Sequence, residues 1–236
     1  MATQAELPAN RRWLRRFTTG QRWVHWSLAA LFTVLIATAA ILYFAPLAQL
    51  VGRRELVQRV HVVTGYLLPL PLVLGWLWSA ALRVDISTMN RFSPADWRWL
   101  RDRARRSGRY PVGKFNAGQK LNAAFVLGSV VVMLGTGLVM HFDNLFPIAW
   151  RTGATFVHDW LAFAVVIVVA GHLYMALKDP EALRGMLSGR VSERWARHEH
   201  PAWAAQAPSE TDQTSAVTAA ATAATSPGEP GAPDRQ

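Results

Sequence analysis

Four apolar stretches almost free of charge constrain this chain more than any other feature in it. They run from Trp23 to Phe44, Val60 to Leu82, Leu121 to His141 and Thr155 to Leu177, and Asp159 is their single charged residue. Each is long enough to cross a hydrocarbon core about 30 Å thick, which takes roughly 20 helical residues. Lipid offers the backbone no water, so each stretch must pair its own amides and carbonyls as a helix. The expected fold is an all-α membrane protein, a four-transmembrane-helix bundle.

Charge orients the bundle. The net charge of +10 is segregated by loop, which argues against nucleic acid as its partner. Arg11, Arg12, Arg15, Arg16 and Arg22 precede the first span; ten Lys and Arg lie between spans two and three, and six follow span four. The two remaining loops hold four: Arg53, Arg54, Arg59 and Arg151. By the positive-inside bias both termini and the middle loop are cytoplasmic, with anionic membrane lipid as the natural counter-charge. The first span is too long for a signal-peptide core and is read as a retained helix.

The chain has no cysteine. That excludes an iron–sulfur cluster, a thioether-linked haem, a disulfide and a thiolate zinc site in this polypeptide.

Three segments follow along the chain. Residues 1–16 form a loose basic lead, residues 17–200 the membrane domain, and residues 201–236 a disordered Ala/Thr/Pro-rich tail. In the middle loop, Ser93-Pro94 marks a helix start. Trp97, Trp99 and Leu100 then alternate with arginines, as in a short interfacial helix. Pro69 and Pro71 predict a kink or local widening in span two.

Histidine placement carries the functional reading. His25 lies three residues after Arg22 and His172 six before Lys178, near one face. His61 and His158 lie near the other. His158 and His172 are fourteen residues apart, about 21 Å along a helix. Fourteen steps of about 100° come within roughly 40° of four full turns, so both face one side. Ionisable groups inside spans are functional by default. Two depth-matched pairs, His25 with His172 and His61 with His158, suit the axial ligation of two b-type haems, inner and outer. Two imidazoles fill both axial positions, which favours electron transfer over substrate binding. Gly65 and Gly171 offer either room for a macrocycle or ordinary close helix packing. His141 ends span three and is a weaker candidate to substitute for His61 or His158; His198 and His200 read as solvated.

At these residues the chain resembles the membrane cytochrome b (gamma) subunits of respiratory formate dehydrogenases, over about residues 15–200. The resemblance rests on Arg22-Trp23-Val24-His25-Trp26, Arg59-Val60-His61 with Gly65, Lys114 to Lys120, Phe156-Val157-His158-Asp159 and Gly171-His172. The histidine pattern alone also resembles nickel–iron hydrogenase cytochrome b subunits. The resemblance implies an electron-transfer, quinone-reducing subunit in the cytoplasmic membrane that does not oxidise formate by itself. Its implied partners are an iron–sulfur (beta) subunit on the outer face and a molybdenum- or tungsten-containing catalytic (alpha) subunit. It also implies menaquinone or ubiquinone reduction near the cytoplasmic face, with Asn116, Ala117 and Gly118 at the quinone. Asn116 and Gln119 equally form a capping-box start for span three. A stand-alone quinol-oxidising cytochrome and a histidine-containing transporter are the other readings.

Overall fold

A computed structural model describes residues 12–104 and 108–207 of the chain. In chain order the elements are β1 (Trp13–Arg15), α1 (Thr19–Tyr43), α2 (Ala45–Val51), α3 (Arg54–Leu67), α4 (Leu70–Trp78) and α5 (Ala80–Met89). They continue with α6 (Pro94–Arg101), α7 (Ala117–His141), α8 (Ile148–Lys178), α9 (Pro180–Ser188), β2 (Arg190–Ser192), α10 (Glu193–Glu199) and α11 (Pro201–Ala204).

Among the described residues four helices are long and apolar enough to cross a membrane: α1, α3 continued by α4, α7 and α8. Their flanks expose large apolar side chains such as Val131, Phe163 and Ile167. That surface suits lipid and would be unstable in water. Four crossings leave the start of α1 and the end of α8 on one side, termed here the terminal side; the opposite side is the loop side. The interruption between α3 and α4 falls at Leu68 and Pro69, where two prolines withhold amide donors. The local irregularity expected in span two falls at this break between α3 and α4.

Helix starts follow local capping chemistry. Asn116 and Gln119 form a reciprocal capping box at α7, and Ser93 with Asp96 does the same at α6. A third box, Thr18 with Gln21, opens α1. Each satisfies amides that the first turn leaves without partners. α6 is the short helix expected in the middle loop, with Trp97 exposed and Trp99 buried.

The two close antiparallel pairs are α1 with α3 and α7 with α8, and a lighter α3–α7 seam joins them. Within the spans few side chains are fully buried. Polar order concentrates on the terminal side. Gln21 and Lys114 converge on Asp85, with Lys114 Nζ 2.7 Å from both carboxylate oxygens. Burial raises the Asp85 carboxyl above its ordinary range despite the opposing pull of Lys114, and burial lowers Lys114. Lys120 Nζ donates to Asp96 at 2.8 Å and to the Arg91 carbonyl at 2.9 Å.

Two boundaries differ from the sequence reading. Residues 13–16, read as part of a loose lead, are tied down: β1 pairs antiparallel with β2, Leu14 opposite Val191. Leu14, Val191 and Ala196 form a small core against Trp195 and Trp203. Arg16 is 3% exposed, its guanidinium carbon 4.8 Å from the Trp195 ring centre. Burial lowers its pKa to about 10, leaving it charged at neutral pH.

His200, read as solvated, is 1% exposed. Arg16 donates to its Nε2 at 3.0 Å, so its proton sits on Nδ1 and is donated to the Gly113 carbonyl at 2.7 Å. Sequence reasoning missed this because the partner lies 184 positions away. His198 is exposed as expected. Residues 201–207, assigned to the tail, include α11; residues 1–11 and 208–236 lie outside the described residues, as do Arg105 and Arg106.

Candidate cofactor site

Two imidazole pairs stand at two depths between the helix pairs. His25 of α1 faces His172 of α8 on the terminal side, ring centres 6.1 Å apart and planes at 60°. His61 of α3 faces His158 of α8 on the loop side, at 6.4 Å and 65°. α8 therefore supplies one histidine at each level, as its spacing predicted. His141 joins neither pair; its ring meets Tyr66 at 6.0 Å.

The loop-side pair is held by two threonines that sequence reasoning did not single out. Thr38 Oγ1 lies 2.8 Å from His61 Nδ1, and Thr136 Oγ1 lies 2.9 Å from His158 Nδ1. Each hydroxyl also reaches a carbonyl of its own helix, Val34 at 2.7 Å and Val132 at 2.8 Å, the usual back-bond of a helical threonine. A hydroxyl has one proton to donate. Having given it to the carbonyl, each threonine accepts from Nδ1–H, and each imidazole keeps its Nε2 lone pair. Among the described residues neither His25 nor His172 has such a partner; His25 instead packs edge-on against Trp26 at 5.4 Å. Threonine is ordinary in apolar helices, so nothing in its spacing marked these two.

Space accompanies the histidines. A Cβ added at Gly65, Gly128, Gly135 or Gly171 would meet no neighbouring atom within 4 Å. Gly65 and Gly171 are thus not sites of close helix packing. Among the described residues no group of three or more His, Asp or Glu is arranged to hold a bare metal ion.

Asn116, Ala117 and Gly118 lie at the terminal-side start of α7, the same end of the bundle as His25 and His172. Asn116 Oδ1 accepts from the Gln119 amide at 2.9 Å, and Gln119 Oε1 accepts from the Asn116 amide at 3.0 Å. Ala117 is 1% exposed, and a Cβ on Gly118 would stand 3.6 Å from the Trp99 ring. The capping role of this stretch is thereby direct, and α6 covers it.

A helical bundle built to lie in a membrane, with imidazoles paired at two depths, is the class of protein that fold and site define. Comparison with known families narrows it: the chain belongs to the prokaryotic cytochrome b561 family, whose model matches residues 16–189. It is 28% identical over 199 residues to the formate dehydrogenase cytochrome b556 subunit of Haemophilus influenzae, covering 80% of this chain and 81% of that protein. It is 25% identical over 209 residues to the formate dehydrogenase cytochrome b556(fdo) subunit of Escherichia coli K12, covering 84% and 95%. The nitrate-inducible b556(Fdn) subunit of the same organism is 31% identical over 110 residues, covering 43% and 51%. The family relationship spans the four crossings, makes the protein an integral membrane cytochrome and implies haem b.

Proposed function

We propose that this protein is the membrane cytochrome subunit of a formate dehydrogenase, binding two haems b and delivering electrons to quinone. His25 and His172 would hold the inner haem iron, His61 and His158 the outer. The observation that carries the reading is the pairing of four imidazoles at two levels of one bundle.

Their separations suit the group. Two imidazoles that hold one metal ion between them, each through a metal–nitrogen bond of about 2.0 Å, as for zinc, would have ring centres about 6 Å apart. The pairs observed are at 6.1 and 6.4 Å. Thr38 and Thr136 present Nε2 of the outer pair, and the open space beside the span glycines accommodates a macrocycle.

Bound there, the two haems supply one-electron chemistry at two depths of the bilayer. The chain's own residues do the rest. His25 with His172, and His61 with His158, would hold the two iron atoms, two imidazoles to each, which suits electron transfer rather than substrate binding. Glu55 lies in the first, loop-side turn of α3 and Asp159 in the loop-side half of α8, next to His158. No other Asp or Glu lies in the four crossing helices, so they hold no chain of carboxylates to relay protons across the bilayer. The relatives' names supply the electron donor, formate. By the charge bias the terminal side would face the cytoplasm, with the protein in the inner (cytoplasmic) membrane. An iron–sulfur subunit and a molybdenum or tungsten catalytic subunit would then dock from the loop side. Menaquinone or ubiquinone would be reduced on the terminal side beside Asn116, Ala117 and Gly118.

A pyridine haemochrome assay on the purified chain tests the cofactor assignment: two haems b per chain are expected, and one in either His61→Ala or His25→Ala. Two haems retained by both variants would sink the pairing. Reduction of the haems in native membranes by formate tests the donor, and reduction by hydrogen alone would shift the assignment to a hydrogenase.

A further inference from the structure

We propose that the buried Asp85–Lys114 pair supplies the protons that quinone takes up on the terminal side. The proposal rests on the reading that quinone is reduced beside Asn116, Ala117 and Gly118.

The pair adjoins both the inner imidazoles and that stretch. Asp85 is 5% exposed and accepts from Gln21, which stands one turn before His25 on the same face of α1. Lys114 is two residues before Asn116, and its Nζ lies 2.7 Å from both oxygens of Asp85. The backbone around Lys114 is held in place. Arg16 donates to the Lys114 carbonyl at 2.9 Å, and His200 Nδ1 donates to the Gly113 carbonyl at 2.7 Å. A proton donor fixed in this way loses little entropy on meeting its acceptor. Asp96, the other buried carboxylate among the described residues, is committed to the α6 cap and to Lys120.

Electrostatics loosens the proton. Burial pushes Lys114 down and Asp85 up, so the two titrate as one unit, closer to neutral pH, where proton transfer is most efficient. Arg16, buried and cationic, attracts Asp85 and repels Lys114. Once the ammonium has given up its proton, the carboxylate therefore still faces a cation, and Gln21 still donates to it. The Lys114 side chain is 19% exposed against 7% for Asp85, so water on the terminal side reloads the amine.

The reaction balances as follows from that placement. Quinone receives two electrons, one at a time, by way of the inner haem, and two protons. For each proton the Nζ–H bond breaks, its electron pair stays on the amine, and an O–H bond forms on a quinone oxygen. The amine then takes a proton from water on the terminal side, and a second round completes the quinol.

The test uses the purified full chain with its haems, reduced with dithionite, freed of excess reductant and mixed rapidly with menadione or decylubiquinone. Haem absorbance follows electron transfer, and a pH-indicator dye follows proton uptake. Wild type should slow as pH rises and the pair loses its proton. Lys114→Arg keeps the ion pair but cannot release a proton, so haem oxidation and proton uptake should both slow by about 100-fold and become flat with pH. Asp85→Asn with Lys114→Met removes both charges and should be equally slow, which makes the result independent of how arginine fits. An unaltered haem spectrum and unaltered quinone quenching of tryptophan fluorescence certify each variant. Lys114→Arg matching wild type in rate and pH profile would show that the pair is only structural and overturn the proposal. Wild-type haems that neither quinone oxidises would overturn the quinone reading itself, and this proposal with it.

Discussion

Thr38 on α1 accepts the Nδ1 proton of His61 on α3 across 2.8 Å, and Thr136 on α7 repeats the relationship with His158 on α8 at 2.9 Å. Four helices thereby meet at one level. Each threonine fixes the tautomer and rotation of an imidazole whose other nitrogen stays available. Among the described residues the terminal-side pair lacks this arrangement, which would make the two proposed haem positions electronically distinct.

An acceptor on Nδ1–H makes an imidazole more basic and stabilises the oxidised iron it ligates. Thr38→Val, which removes the hydroxyl at nearly constant volume, should therefore raise the midpoint potential of the outer haem and leave the inner one in place. Thr38→Ser should restore it. A potentiometric titration of the α-band resolves the two; an unchanged outer potential in Thr38→Val and Thr136→Val would show that the threonines only fill space.

Asp85 is 5% exposed and meets both Lys114 and Gln21. Asp85→Ala leaves the Lys114 ammonium in a largely buried setting without its counter-charge, a loss of about 3 kcal/mol, at the low end for buried pairs. Thermal denaturation monitored by haem absorbance should show it as a lowered midpoint. Adding Lys114→Met should recover most of the loss, because the uncompensated charge goes with it.

Acid should loosen the α6–α7 junction. Burial alone would raise the Asp96 carboxyl, but hydrogen bonds from Lys120 and Ser93 outweigh it and hold the group below the ordinary carboxylate range. A depressed native pKa contributes stability that is complete above the unfolded value, about 4, and is lost as pH falls through the native value. The thermal midpoint of the wild type should thus drop below about pH 4, and Asp96→Asn should show a shallower drop from a lower starting point. Parallel acid limbs in the two proteins would exclude Asp96 as the titrating group.

Much of the site was legible because its signals are local. The helical repeat alone puts His158 and His172 on one face of α8, and depth matching to His25 and His61 needs only the charge bias of the loops. Asn116 and Gln119 announce a capping box three residues apart. The misses all depend on distant neighbours. His200 sits among charged residues and reads as solvated until β1 returns against β2 and carries Arg16 onto it. Thr38 is one hydroxyl among many in apolar helices until α3 brings His61 to its level.

Sequence by itself determined the four crossings, the break in span two beside Pro69, and the two levels of histidine, because lipid leaves the backbone no alternative to helices and helices have a fixed rise and turn. Tertiary structure alone decided which side chains meet between elements: the threonine acceptors, the clasp of Arg16 on His200, and the convergence of Gln21 and Lys114 on Asp85. Those contacts depend on how helices and strands are placed laterally. Packing between elements sets that placement, and no local pattern along the chain encodes it.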